Sequence, residues 1–247
     1  MLIAGSVVMT SVISAGCTSE GMRNVYLAAF SYSENPVNPS ENTVASALAS
    51  AVENSTQLLE VRVGFLGVCA KLPADTWACS SSFDTISKQL AIVQAEASNG
   101  SYDPLGVIDL AKGFRDNVVF DGLMFISIGF SVLSFLLLST FPGWHEEEDS
   151  EGSDREVKPF PSRPVSQAAL CFLGISAMMT LLSAFWQHMA SSNAATLMKL
   201  VTAGVVQVQV GAAAMGLGWA TFSLNAIQFV GIFIMVLSIR TLSMLAD

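Results

Sequence analysis

The stretch that decides the fold is VVFDGLMFISIGFSVLSFLLLSTF at residues 118–141, an apolar run with one charged residue near its start. A helix that crosses the hydrocarbon core of a bilayer needs roughly 20 mostly apolar residues. Pro142 and Trp144 follow the run. Proline cannot continue a helix, and tryptophan is enriched where a membrane meets water. The stretch therefore predicts a membrane-spanning helix.

Two further stretches satisfy the same criterion, Gln167–His188 and Thr221–Leu245. The first residues, Leu2–Gly16, are uncharged and apolar but shorter. A signal-peptide core would need a positive segment before it, and a lipoprotein box ending at Cys17 would need an aliphatic residue where Ser14 stands. We favour a true span that is incomplete or begins at the interface, so the chain is predicted to cross the membrane four times.

The stretch Leu197–Gly218 is the ambiguous one. Four glycines interrupt it, and Val206–Val210 alternates apolar and polar residues with a period of two, which is typical of a strand and not of a lipid-facing helix. We interpret it as an exposed loop or helix extension that packs close to the bilayer.

Composition agrees with a membrane protein and excludes several functions. Of the 247 residues, 52% are hydrophobic and 13% are charged, and the net charge is −9. Soluble domains carry about 25% charged residues. Nucleic-acid binding requires clustered Lys and Arg, which this acidic chain lacks. Two histidines and four cysteines, with no nucleophile elbow or phosphate-binding glycine loop, predict no enzyme, no metal site and no cofactor.

The region between the first two predicted spans is long and polar. It contains two glycosylation sequons, at Asn54 and Asn99, and two cysteines, Cys69 and Cys79. A cysteine pair in a secretory-pathway protein predicts a disulfide. We therefore place this region outside the cell and both termini in the cytoplasm. The predicted segments are 1–17, first span; 18–117, extracellular loop 1; 118–142, second span; 143–166, an acidic, disordered cytoplasmic loop; 167–189, third span; 190–220, extracellular loop 2; and 221–247, fourth span.

Within loop 1 the sequence up to Gln57 is rich in Ser, Asn and Pro and is expected to be loosely ordered. From Leu59 to Leu66 apolar and polar residues alternate, which predicts a half-buried strand running on into Cys69. Residues 83–97 have the pattern of a helix. A small extracellular sheet closed by a disulfide follows.

The motif Gly64-Phe65-Leu66-Gly67-Val68-Cys69, with the second cysteine at Cys79, resembles the extracellular signature of the fungal pheromone-induced calcium-regulator and membrane-fusion family. It is similar, more distantly, to the Gly-Leu-Trp and two-cysteine signature of claudins, as is Gly216-Leu217-Gly218-Trp219. The fungal family fits better, because no tryptophan precedes Gly64. The resemblance implies a claudin-like, left-handed four-span bundle with a disulfide-stapled extracellular sheet.

The resemblance also implies a plasma-membrane protein that acts in low-affinity calcium influx and in cell or membrane fusion during mating. Its partners would be the lipid bilayer and a calcium channel subunit or further copies of itself. Two alternatives stay open: the chain oligomerises into a calcium-conducting channel, or it is a structural organiser of membrane domains.

Three polar residues in the predicted spans are candidates for a cation or polar site. Asp121 lies about one turn into the second span, and an ionisable group in a membrane is a functional candidate. Asn225 and Gln228 are three residues apart in the last span, so they share a helix face. Hydrogen bonding between helices is the simpler interpretation of the two amides, and pore lining is the alternative.

Overall fold

The computed structural model describes residues 2–33, 46–48, 50, 52, 59–72, 76–96, 103–140, 145–148, 154–157 and 163–246. Four apolar helices form a bundle, and a five-stranded sheet covered by two shorter helices lies at one end of it. The bundle helices are α1 (Leu2–Ser14), α4 (Gly122–Ser139), α5 (Arg163–Val201) and α6 (Ala212–Ala246). The two shorter helices are α2 (Phe83–Glu96) and α3 (Val107–Val118).

The bundle closes on itself, because α1 packs against α4 and α6, and α5 packs against the same two helices. Three described helices are long and apolar enough to cross a membrane, namely α4, most of α5 and most of α6. The helix α1 is apolar but has only 13 residues. Large apolar side chains point away from the bundle, as expected where lipid is the solvent.

The sheet is antiparallel, in the order β4-β3-β2-β1-β7. Its strands are β1 (Ala28–Tyr32), β2 (Glu60–Val63), β3 (Val68–Lys71), β4 (Trp77–Ser80) and β7 (Val206–Val210). A separate pair of strands is formed by β5 (His145–Glu148) and β6 (Asp154–Val157). Because β1 follows α1 and β7 joins α5 to α6, the sheet is connected to the bundle at several points.

The sheet, α2 and α3 lie outside the bundle, and we call them the outer part. Its hydrophobic core lies between the sheet and the two short helices. The helix α2 packs on β3 and β4, and α3 packs on β1 and β2. The rings of Phe30 and Phe114 meet edge to face with centroids 5.6 Å apart. Burial of such aromatic surface is the main force that attaches α3 to the sheet.

Several expectations about the outer part were wrong in detail. The strand predicted from Leu59 ends at Val63, because the glycine-containing turn 64–67 reverses the chain, so Cys69 lies on the next strand. The segment expected to be loosely ordered contains β1, a central and largely buried strand. The apolar run Val25–Phe30 was the local signal for it.

The bundle helices also reach further than the predicted spans. The helix α5 continues to Val201 instead of ending near His188, because its last turns pack on the sheet. The helix α6 begins at Ala212, so Gly216–Trp219 lies inside it and does not open it. The acidic loop was predicted to be disordered, but it includes the β5–β6 pair. The prediction rested on the number of charges, which does not reveal backbone hydrogen bonds.

Candidate functional site

The motif turn, residues 64–67, connects β2 to β3 and lies against the chain that leaves α1. The turn is closed by the amide of Gly64, which donates to the carbonyl of Gly67 over 2.8 Å. A Cβ atom on Gly64 would overlap the carbonyl of Gly16, and one on Gly67 would overlap the backbone of Cys17. Cys17 itself has a positive φ of 59°. Both motif glycines therefore permit two backbones to touch.

The helix α3 reaches the same turn from the other side. The guanidinium of Arg115 donates to the carbonyl of Leu66 and to that of Ser81, each over 3.0 Å. Phe65 is buried in the outer core. The motif turn is thus the point where the end of α1, the sheet and α3 meet.

A disulfide joins Cys69 on β3 to Cys79 on β4, and the two residues face each other in the strand register. Their Cα atoms are 4.0 Å apart. The Sγ atom of Cys69 also lies 3.6 Å from the carbonyl oxygen of Cys17. The disulfide therefore braces the side of the sheet that contacts the end of α1.

The position of α3 is set by Asp103. Its Oδ1 accepts a hydrogen bond from the amide of Val107 over 2.6 Å, and its Oδ2 accepts one from Ile108 over 3.0 Å. The hydroxyl of Tyr32 on β1 donates to the same carboxylate over 2.7 Å. Burial is the largest cause that raises the pKa of Tyr32 well above its ordinary value, and the hydrogen bond to Asp103 raises it further.

Arg62 on β2 organises the polar surface of the sheet. Its guanidinium lies over the ring of Trp77, 4.3 Å from the centroid, and over that of Tyr26 at 5.0 Å. It also forms an ion pair of 2.7 Å with Glu60 and donates to the side-chain oxygen of Asn24. This arrangement places one cation beside two aromatic rings on the surface of the sheet.

The three candidate polar residues are not brought together. Asp121 precedes the first residue of α4 and is partly exposed, so it does not lie one turn inside the helix as predicted. The reason is that residues 118–120 belong to the end of α3 and a short connection. Asn225 and Gln228 lie on α6 and are buried. The amide of Asn225 donates to the hydroxyl of Thr180 on α5 over 3.4 Å.

The interior of the bundle contains many hydroxyl and amide groups. Ser127 and Ser131 on α4 both hydrogen-bond the hydroxyl of Ser176 on α5, at 2.9 and 2.7 Å. Four buried side-chain atoms have no hydrogen-bond partner among the described residues: Gln187 Oε1, Asn225 Oδ1, Gln228 Oε1 and Gln228 Nε2. Gln187 was not identified from the sequence, because its burial depends on how α5 and α6 pack.

Other expected sites lie elsewhere. Both sequon asparagines, Asn54 and Asn99, fall outside the described residues. Within the described part of the chain, no group of three or more His, Cys, Asp or Glu residues is placed to bind a metal ion.

A family model described as Ca²⁺ regulator and membrane fusion protein Fig1 matches residues 44–238. The match includes the motif turn, the disulfide, α4, α5 and most of α6, whereas α1 and β1 precede it. No curated protein matches the chain.

Proposed function

The chain belongs to the Fig1 family of Ca²⁺ regulators and membrane fusion proteins, and from this premise we propose that it regulates low-affinity calcium influx and cell fusion during fungal mating. It acts from the plasma membrane through a separate channel. In this proposal α1 is the fourth span, the sheet lies outside the cell, and both termini lie in the cytoplasm. The sequons at Asn54 and Asn99 are consistent with an external sheet.

The observation that carries the choice of regulator over channel is the chemistry of the bundle interior. Among the described buried residues of the four helices, the polar side chains are Ser, Thr, Asn and Gln, without a carboxylate. A divalent cation loses its hydration on entering such a site, and neutral side chains do not replace the lost charge stabilisation. A single bundle is therefore poorly suited to conduct Ca²⁺.

The polar surface around Arg62 is the proposed contact for the partner. Tyr26, Arg62 and Trp77 provide aromatic and guanidinium groups of the kinds that dominate binding energy at protein interfaces. The motif turn lies against the end of α1, and in this proposal that contact carries the effect of binding from the sheet to the bundle. The proposed partner is a calcium channel subunit.

A channel formed by the chain itself is the second candidate. It is favoured by the buried amide atoms of Gln187, Asn225 and Gln228 that lack partners among the described residues. In this case the amide oxygens would line a path for the ion.

One experiment separates the two candidates. Calcium uptake is measured in cells that express the chain and in proteoliposomes that contain only the purified chain with its disulfide intact. The regulator predicts uptake that lanthanide blocks in cells and no flux in proteoliposomes. Lanthanide-sensitive flux in the proteoliposomes would contradict the regulator and support the channel.

A further inference from the structure

A groove of about 630 Å³ runs between α3 and the part of α5 that extends towards the sheet. Leu110, Gly113 and Phe114 line it on the α3 side, and Met189, Ala194 and Leu197 line it on the α5 side. The lining residues on α5 run from Trp186, whose indole donates to the carbonyl of Val118, to Met198. The volume of the groove falls within the roughly 300–1,000 Å³ of small-molecule sites.

The groove begins at the level where the apolar span ends. The hydroxyl of Ser134 on α4 donates to the carbonyl of Ala169 on α5, and the indole of Trp186 donates to the carbonyl of Val118 at the end of α3. The first residues of α4 are thus level with the segment of α5 just before Trp186. Residues 187–201 continue past α4 for about 22 Å at 1.5 Å per residue.

The walls of the groove are mostly apolar, with Asn117 and Asn193 as the uncharged polar residues of the lining, and they remain accessible. Trp186 is 52% exposed, Met189 44% and Leu197 55%. One charged side chain, Asp109, contributes to the lining, at the end away from the bilayer. This carboxylate and the net charge of −9 disfavour binding of an anionic ligand, whereas an uncharged hydrocarbon chain is not repelled.

The apolar surface of the groove is continuous with the surface that faces lipid. Phe185 and Trp186 are both exposed on α5, and Phe120 is exposed just before α4. A hydrocarbon chain could therefore reach the groove from the bilayer by passing these exposed apolar side chains. Solvent exposure of an apolar groove is unfavourable, so an occupant from the adjacent membrane lowers its free energy.

We propose that this groove binds one hydrocarbon chain of a zwitterionic or neutral phospholipid that is drawn out of the adjacent leaflet. The inference deepens the proposed function and rests on the membrane placement of α4 and α5. A lipid with one chain in the groove has partly left its own leaflet. Lipids of two bilayers can mix only when they leave their leaflets.

The test uses the purified full chain in nanodiscs that contain phosphatidylcholine with a photoreactive diazirine at the end of one acyl chain. Labelled peptides are then mapped by mass spectrometry. We expect labelling at residues 189–198, beyond the end of the span. Absence of label from this segment would overturn the proposal.

Two glycines provide a matched pair of variants. Gly113 lines the groove, and a Cβ atom added there meets no atom within 4 Å, as is also the case at Gly216 on α6 outside the groove. Gly113→Leu should reduce labelling at 189–198 by about tenfold, since the added side chain removes contact with about two methylene groups of the lipid. Gly216→Leu should leave labelling unchanged. Equal labelling in both variants would contradict the proposal.

Ala194→Trp fills the groove from α5, and Thr196→Trp on the same helix serves as its control outside the lining, so the test does not depend on one variant folding. In a parallel sample, a disulfide between two chains through Leu197→Cys, in place of lipid labelling, would assign the groove to a second copy and overturn the proposal. Lipid labelling of the Gly113→Leu variant is measured independently of calcium uptake, so the lipid proposal and the proposed function can fail separately. Normal labelling with no uptake in cells would reject the proposed function alone.

Discussion

At the scale of single residues, the motif glycines explain how the outer sheet is fixed to the first helix. Gly64 and Gly67 lie where a Cβ atom would overlap the backbone of Gly16 and Cys17. The sequence identified the motif, but not what it contacts. The contacted residues lie about 50 positions earlier in the chain and before the segment that matches the family, and no local pattern connects them.

Gly67→Ala should destabilise the protein by about 1–3 kcal/mol, because the added methyl group must displace the backbone at Cys17. We expect a lower melting temperature of the purified protein and less protein at the cell surface. Gly113→Ala is the control, since its methyl group would meet open space and Ala favours a helix. Equal melting temperatures for the two variants would contradict the close approach.

Cys69→Ser and Cys79→Ser should each lower the free energy of unfolding by roughly 2–3 kcal/mol, because a short loop loses its cross-link. The double variant should be no worse than either single variant, since the two cysteines act as one bond. The amount of protein at the cell surface provides the measurement. Normal delivery of the double variant would show that the disulfide is not needed for folding.

At the scale of elements, Asp103 determines where α3 begins and so shapes one wall of the groove. Asp103→Ala removes both hydrogen bonds to the first turn and the acceptor for Tyr32. We expect a loss of about 1–2 kcal/mol in stability, the usual cost of removing an N-terminal cap. Tyr32→Phe keeps the cap and should cost less in the same thermal unfolding assay. A larger effect of Tyr32→Phe would assign the main role to the hydroxyl.

The packing of α5 on α6 permits a second test. Asn225 makes one long hydrogen bond to Thr180, and its carbonyl oxygen has no partner in the described part of the chain. Asn225→Leu should therefore be neutral or stabilising, since replacing an unsatisfied polar group by an apolar one removes a desolvation cost. Calcium uptake in cells, at equal surface amounts, should not change. A loss of uptake would favour the channel.

Local patterns were sufficient for some elements and insufficient for others. Alternation at Leu59–Leu66 indicated a strand, and residues 83–97 indicated a helix. The interpretation of Leu197–Gly218 as an exposed loop or helix extension was wrong for Val206–Val210, which form β7 and pair with β1. The pairing of Ala28 with Val210 joins residues 182 positions apart in the chain of 247, and only the packed bundle brings them together. The length of α5 was missed for the same reason, because its last turns are stabilised by the sheet.

At the scale of the whole molecule, the polar interior of the bundle and its apolar outer faces define a membrane protein, with the sheet and its two short helices packed at one end of the bundle. The long apolar runs in the sequence were sufficient to predict the apolar helices, because membrane spans are recognised by length and hydropathy. The number of spans depends on α1, which is apolar but has 13 residues. The proposals for the sheet, the partner surface and the lipid groove all require the sheet to lie on the outer side.

The most direct measurement is therefore the sidedness of three inserted epitope tags, one before Leu2, one within residues 34–45 and one within residues 149–153. Antibody binding is compared between intact and permeabilised cells. The account predicts that the tag within 34–45 is accessible on intact cells, while the other two are accessible only after permeabilisation. Binding to the N-terminal tag on intact cells would show that α1 does not cross the membrane, and would contradict the four-span arrangement.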